Sequence, residues 1–70
     1  MPKAKYEQLY LILKEKIESG TYPPQEMLPS EHMLIEELGC SRNTLRRAVR
    51  ELVREGYVQT MQGKGMRNIF

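Results

Sequence analysis

A segment beginning at Ser41 combines a helix start, an apolar stripe and a crowded basic face. Apolar residues recur at the i, i+3, i+4, i+7, i+8 spacing of a helix buried along one side; they are Leu45, Ala48, Val49, Leu52 and Val53. The other positions carry Arg42, Asn43, Arg46, Arg47 and Arg50. Like charges one turn apart repel, so the fold gains little from this face. An external polyanion would explain why so many arginines lie on one face, and Arg and Asn can read guanine and adenine edges in DNA.

The charge of the chain is divided along its length. The formal net charge is only +2. Residues 1–40 carry four lysines against seven glutamates (−3), whereas residues 41–70 carry seven cations against two glutamates (+5). This polarity predicts a phosphate-facing C-terminal half on an ordinary scaffold.

Composition excludes several classes of protein. One cysteine and one histidine exclude an internal disulfide and a Cys/His zinc cluster. With no paired carboxylates on a plausible cleft, nothing is left to perform chemistry, so we expect no enzyme, no cofactor and no metal. No segment has the length and apolarity of a signal peptide or a membrane span, so we expect a cytoplasmic protein with no membrane partner.

Periodicity and capping residues predict three helices. The first covers about residues 5–19, with Tyr6, Leu9, Leu13 and Ile17 on one side, and stops at Gly20. Ser30 caps a second helix, Glu31 to Leu38, with Leu34, Ile35 and Leu38 on its buried side. Ser41 caps a third helix from Arg42 to about Glu55. The short turn at residues 39–41 has the spacing of a helix-turn-helix.

Short extended segments complete the predicted fold. Met27-Leu28-Pro29 could pair with a strand, residues 57–61 alternate like a strand, and residues 66–70 would return as a second strand after a tight turn at residues 62–65. The order helix-strand-helix-helix-strand-strand predicts a mainly α, α+β domain with a small β-hairpin, a winged helix-turn-helix spanning residues 1–70.

Four motifs carry a resemblance to a known family. They are Leu28-Pro29-Ser30-Glu31, then Ser41-Arg42 with Thr44-Leu45-Arg46 and Ala48, then Glu55-Gly56-Tyr57-Val58, and last Gln62-Gly63-Lys64-Gly65. In this order and spacing they closely resemble the GntR family of bacterial transcription regulators. The first and last motifs look most like its HutC-like branch. The upstream apolar positions fit as well, so the resemblance covers nearly all of the chain.

The resemblance implies a sequence-specific head that binds double-stranded DNA at a palindromic operator, most simply in a repressor. It also implies a homodimer, formed on DNA or through the larger C-terminal domain of the family. That domain binds a small-molecule effector in the family and is expected to be absent here, so an effector would act only on the full-length protein. The isolated head is expected to associate weakly.

The resemblance also implies residue roles. Arg42 is the first choice for a base contact, to guanine. Ser41 and Thr44 would serve phosphate oxygens together with the helix cap, and Asn43 would contact either adenine or a phosphate. Arg46 would contact the DNA backbone.

Other members of the predicted DNA-binding set leave alternatives open. Arg47 and Arg50 belong to it, although one of them could pair with Glu51 or Glu55 instead. Arg54 is expected to interact with the helix C-terminus rather than with DNA. Ser30 and His32 are included, and the tip of the wing adds Gln62, Gly63 and Lys64, where Gly63 would allow close approach to the minor groove and Lys64 would meet phosphate.

Three positions depart from the pattern of the family. Gln25 stands where glycine usually follows Pro-Pro, so this loop is expected to take a different turn. Cys40 replaces a common valine, and we expect a buried small hydrophobe there rather than a redox sensor. His32 replaces a frequent Arg or Asn. The methionines at positions 27, 33, 61 and 66 are expected to fill the core.

An alternative function stays open at this point. A winged helix could use its basic face to dock an acidic protein partner. Leu11 and Ile12 widen the apolar arc of the first helix, and exposure of either would favour this alternative or a dimer contact.

Overall fold

Three helices and a two-stranded hairpin make up residues 4–61 and 65–70, the part of the chain that the computed structural model describes. The helices are α1 (Lys5–Glu18), α2 (Glu31–Leu38) and α3 (Arg42–Arg54), followed by the antiparallel strands β1 (Val58–Met61) and β2 (Gly65–Asn68). This is the winged helix-turn-helix that the sequence predicts, with each predicted helix end correct to within one residue. The hairpin differs by one or two residues: β1 begins at Val58 instead of residue 57, and β2 covers Gly65–Asn68 instead of residues 66–70.

Side-chain caps start α2 and α3. The Ser30 hydroxyl accepts a hydrogen bond from the Met33 amide, and the Ser41 hydroxyl accepts one from the Thr44 amide, both at 3.2 Å. Between the two helices, Gly39 adopts a left-handed backbone (φ 64°) that residues with a side chain rarely adopt. The tight turn therefore depends on Gly39, and it sets the direction in which α3 leaves α2.

The core lies between α1 and α3 and is closed by the hairpin. On α1, Leu9, Leu13 and Ile17 are buried at i, i+4 spacing, as predicted, while Tyr6 is half-buried. The buried side of α3 faces them, and α2, the loop after α1 and the hairpin add the remaining members. The other buried apolar residues are Tyr22, Leu28, Leu34, Leu45, Ala48, Leu52, Val58 and Met66. Ile35 and Leu38 pack against this cluster half-buried.

The structure corrects five apolar predictions. Val53 is 40% exposed, because it lies at the edge of the α3 stripe, beside a groove that the hairpin does not cover. Met27 and Met33 are 45% and 57% exposed, so neither fills the core, and Met61 is only half-buried. Of the four methionines, Met66 alone is buried as expected. Cys40 is likewise only half-buried, although it packs against the core.

The predicted short strand before α2 is reduced to a single bridge. Met27 pairs with Arg67 of β2, and the Leu28 amide donates to the Met66 carbonyl at 2.9 Å. One bridge is enough to attach the chain before α2 to the hairpin. Because α2 begins four residues after Met27, the hairpin and the helix-turn-helix are held together by the backbone.

Asn68 locks the hairpin to the loop that follows α1. Its side chain is fully buried, its amide group donates to the carbonyls of Tyr22 (2.9 Å) and Pro23 (3.2 Å), and its side-chain oxygen accepts from the Phe70 amide at 2.9 Å. The Asn68 carbonyl accepts from the Gln25 amide as well. A buried polar group is stabilising only when it is satisfied in this way, so this residue ties three segments together.

Gln25 keeps the backbone that glycine favours. Its φ is +66°, the only positive value of a non-glycine residue among those described. The conformation is held by the Asn68 carbonyl on the Gln25 amide and by the Arg67 guanidinium, whose Nε donates to the Gln25 carbonyl at 2.9 Å. The turn is therefore left-handed at this residue despite its side chain, and it carries strain.

We expect Gln25→Gly to stabilise the domain. Relief of the left-handed strain exceeds the extra backbone entropy of glycine, for a net gain of about 0.5–1 kcal/mol, or a rise of about 2–8 °C in Tm. Thermal unfolding followed by circular dichroism measures it. The matched control Glu26→Gly, at a neighbour without a positive φ, is expected to lower Tm. If both variants changed Tm alike, no strain would be stored at Gln25.

Asn68→Ala is expected to lower the free energy of unfolding by about 2–3 kcal/mol, because buried carbonyls lose their donors. Arg67→Ala serves as the control: it removes one exposed hydrogen bond from the adjacent position and is expected to cost about 1 kcal/mol or less. Urea denaturation measures both values. If both variants lost the same free energy of unfolding, Asn68 would not be the residue that holds the hairpin to the loop after α1.

Candidate nucleic-acid interface

The exposed side of α3 carries a line of polar side chains along the whole helix. An α-helix turns about 100° per residue, so Asn43, Arg47, Arg50 and Arg54 lie opposite the buried stripe. All four are exposed, and we call them the α3 ridge. Thirteen residues make a helix about 20 Å long. The ridge is therefore long enough to lie in the major groove of B-form DNA, which is about 12 Å wide and admits an α-helix.

One carboxylate holds two arginines on the α2 side of the ridge. Arg46 Nε donates to Glu31 Oε2 at 3.2 Å, and Arg42 Nε lies 2.9 Å from Glu31 Oε1. Both arginine side chains are 61% exposed, so they stay accessible to a ligand. Two cations against one carboxylate leave a net positive charge, and the terminal nitrogens of each guanidinium remain available to accepting oxygens.

Sequence reasoning missed this role of Glu31. There Glu31 is only the first residue of the predicted second helix and the last residue of a family motif. The carboxylate points instead at α3, where it brings together the two arginines predicted to contact a base and the backbone. The sequence places Glu31 at the start of α2 and Arg42 at the start of α3. That the two residues meet depends on how the helices cross, which the sequence pattern does not specify.

The start of α3 presents donors to the outside. The Ser41 hydroxyl donates to the Thr44 hydroxyl oxygen at 2.8 Å and accepts from the Thr44 amide. Among the described residues, none accepts a hydrogen bond from the Thr44 hydroxyl, which leaves its hydrogen available to an external acceptor. Asn43 is exposed and forms no side-chain hydrogen bond with another described residue. Together with the positive end of the helix dipole, these groups suit an anion.

The arginines of the ridge are held in different ways. The Arg47 guanidinium carbon lies 4.1 Å from the centre of the Tyr6 ring on α1. Arg54, in the last turn of α3 as expected, pairs with Glu51. Arg50 forms no ion pair within residues 4–61 and 65–70. The alternative that Arg47 or Arg50 pairs with Glu51 or Glu55 is therefore wrong: Glu51 pairs with Arg54, and Arg47 lies over the Tyr6 ring.

A groove of about 440 Å³ separates α3 from the hairpin. Arg46 and Arg50 line its helix side, and Thr60 and Gly65 line its hairpin side. The predicted wing tip, Gln62, Gly63 and Lys64, lies outside the described residues. The flanking residue Gly65 nevertheless shares this groove with the α3 arginines, so the hairpin end and the cations face the same side of the molecule.

Two candidates on α2 are placed differently. The Ser30 hydroxyl serves as the cap of α2. His32 is exposed, and its Nε2 lies 3.3 Å from Glu36 Oε1 on the same helix. Neither side chain forms a hydrogen bond or an ion pair with an arginine of α3.

Within the ranges 4–61 and 65–70, no group of three or more His, Cys, Asp or Glu side chains could hold a metal ion. The helices of these ranges are too short or too polar to cross a membrane.

Comparison with known proteins identifies what this arrangement resembles. Residues 5–67 match the family model described as bacterial regulatory proteins, gntR family. The chain is 41% identical over 61 residues to the HTH-type transcriptional regulator TreR of Bacillus subtilis (strain 168), covering 87% of this chain and 26% of TreR. It is 41% identical over 64 residues to the histidine utilization repressor of Pseudomonas putida, covering 91% of this chain and 26% of that protein.

A solved structure shows the same fold on DNA. The DNA-binding domain of AraR in complex with operator ORE1 superposes with a TM-score of 0.91 at 31% identity, covering 97% of this chain and 83% of that chain. The predicted fold and family resemblance, including the HutC-like branch, are thereby confirmed. These relatives are named as regulators, which agrees with the prediction that the chain is not an enzyme. The chain spans about a quarter of the length of the curated relatives it matches.

We expect Glu31→Gln to lower the free energy of unfolding by about 1 kcal/mol or less, because the ion pairs are largely exposed. The difference from the wild type should shrink in 1 M salt, where such pairs are screened. Urea denaturation at low and high salt measures it. Glu36→Gln, on the same helix and paired with His32 alone among the described residues, is the control. A loss independent of salt would show that Glu31 acts by something other than its charge.

Proposed function

The chain belongs to the GntR family of bacterial regulatory proteins, and from that membership we propose that it binds double-stranded DNA sequence-specifically. It would act as the operator-binding head of a ligand-responsive transcriptional repressor. The observation that carries the proposal is the exposed cationic side of α3, with Arg42 and Arg46 gathered by Glu31 and the hairpin end on the same side. Membership of the family and the operator-bound AraR domain support it.

The contacts divide by chemistry. Arg42, at the first turn of α3, is proposed to read a guanine, a contact worth about 1–3 kcal/mol of discrimination. Ser41, Thr44, Arg46 and Arg50 are proposed to bind phosphates, which position the helix without reading sequence. Asn43 reads adenine or binds a phosphate. For Ser30, His32 and the three tip residues at positions 62–64, the proposal rests on the family resemblance alone.

The partners follow from the same proposal. A homodimer would place two copies of α3 in successive major grooves about 34–36 Å apart, on a palindromic operator. The dimer would form on DNA or through a further domain of the full-length protein, and the small-molecule effector would bind that domain. The location proposed is the bacterial cytoplasm, where the DNA lies.

One observation favours a second candidate function. Leu11 and Ile12 on α1 are 40% and 43% exposed. A module that docks an acidic protein on its basic face would leave such residues free for a further contact. A mobility-shift experiment with random duplex DNA at low salt separates the candidates, because the absence of any shift at micromolar protein favours the protein partner.

Selection of binding sites from a random duplex pool, followed by salt titration of the selected duplex, tests the proposal. Affinity should fall with salt at a slope of about −0.9 per phosphate contact in a log–log plot. Arg42→Ala should relax the preference at one base position. Arg54→Ala, which removes the same charge from an arginine held by Glu51, is the control and should leave base preference unchanged.

Two results would contradict the proposal. A pool that yields no enriched sequence would exclude sequence-specific recognition. An affinity that does not respond to salt would exclude the phosphate contacts. If Arg42→Ala and Arg54→Ala altered base preference equally, the assignment of Arg42 as the base-reading residue would be wrong.

A further inference from the structure

Tyr6 and Arg47 form a contact between the first turn of α1 and the centre of the α3 ridge. The guanidinium carbon lies 4.1 Å from the ring centre, within the range of about 6 Å over which a cation is attracted to an aromatic face. Tyr6 is half-buried, whereas Arg47 is exposed. The ring is therefore a supported surface, and the guanidinium on it remains open to solvent.

This way of holding an arginine differs from the others on α3. Arg42, Arg46 and Arg54 are each held by a carboxylate, which cancels part of their charge and occupies nitrogens. A neutral ring attracts the guanidinium through its face and leaves the in-plane N–H groups unused. Arg47 forms no ion pair or hydrogen bond with another described residue. It thus keeps its full charge and its donors while its position is restrained.

An arginine that is already ordered and still carries its full charge is well suited to bind a phosphate. Ordering a long side chain on binding costs about 0.5–1.5 kcal/mol, which a side chain that is already ordered does not lose. Arg47 lies one turn after Asn43 on the ridge and on its α1 side, whereas Glu31 gathers Arg42 and Arg46 on the α2 side. A duplex seated on the ridge would bring a phosphate backbone past each side.

We infer that Tyr6 is a positioning residue for DNA binding: its ring holds the Arg47 guanidinium ready for a phosphate on the α1 side of a bound duplex. The inference rests on the proposed function and adds a residue that lies outside the helix-turn-helix and the wing. Tyr6 acts through Arg47 and touches no base.

Affinity for a short mixed-sequence duplex at low salt tests this inference with the 70-residue chain. Tyr6→Leu, which keeps apolar bulk but removes the ring, should weaken binding about two- to five-fold. Tyr6→Phe, which keeps the ring, should bind like the wild type. Pentafluorophenylalanine in place of Tyr6 keeps the shape of the ring but reverses its quadrupole, so it should weaken binding as Tyr6→Leu does.

A double-mutant cycle distinguishes positioning of Arg47 by Tyr6 from a general effect of Tyr6 on the fold. Arg47→Ala should lower the salt slope by about 0.9. In the Arg47→Ala background, Tyr6→Leu should cause no further loss of affinity. The fluorinated ring also guards against a folding defect in Tyr6→Leu, because it preserves packing.

The inference is overturned if Tyr6→Phe and the fluorinated ring give the same affinity, or if the loss caused by Tyr6→Leu persists without Arg47. Failure of the wild-type chain to bind any duplex would overturn the proposed function itself. The two failures are distinguishable, because the first leaves wild-type binding intact.

Discussion

Packing of α3 against α1 is the interaction on which the rest of the molecule depends. Leu45, Ala48 and Leu52 are almost fully buried, and this burial leaves the rotation of α3 about its axis with little freedom. The opposite side of the helix must then face solvent along its whole length. Three arginines and an asparagine, the α3 ridge, are therefore exposed as a consequence of this packing.

The fold supports the exposed side by restraining cations rather than by neutralising them. Glu31 is shared between Arg42 and Arg46, so the cluster keeps a net positive charge, and Arg47 lies on an uncharged ring. Exposed ion pairs of this kind contribute little to stability. These contacts restrict the positions of the guanidinium groups before a polyanion binds. Less side-chain entropy is then lost on binding, which favours the complex.

The hairpin and the helix-turn-helix are coupled through a few backbone contacts and one buried side chain. Asn68 joins β2 to the loop after α1, and the Met27 bridge joins β2 to the segment before α2. The described residues of α3 and of the hairpin that line the groove are therefore held at a fixed distance from each other. A ligand that contacts both elements meets two surfaces whose relative position is set by the core.

Local pattern predicted the helices, their caps and the strand order, because these features depend on residues that are neighbours in sequence. The local pattern did not predict contacts between residues that are distant in sequence. The pairing of Glu31 with Arg42 and Arg46, and of Tyr6 with Arg47, requires the crossing of helices, which a periodicity does not specify. Val53 and Met33 were misassigned for a related reason: a stripe shows which side of a helix is apolar but not how far the neighbouring elements cover it. The roles assigned to single residues in DNA binding stay predictions.

We propose that a DNA duplex binds to the cationic side of α3, and amide chemical-shift mapping is the most direct test of this interface. The labelled chain would be titrated with a duplex drawn from the selected pool. We expect the largest shifts at the start of α3, along the ridge and in the first turns of α1 and α2. Shifts concentrated around Leu11 and Ile12, with the ridge unchanged, would contradict it.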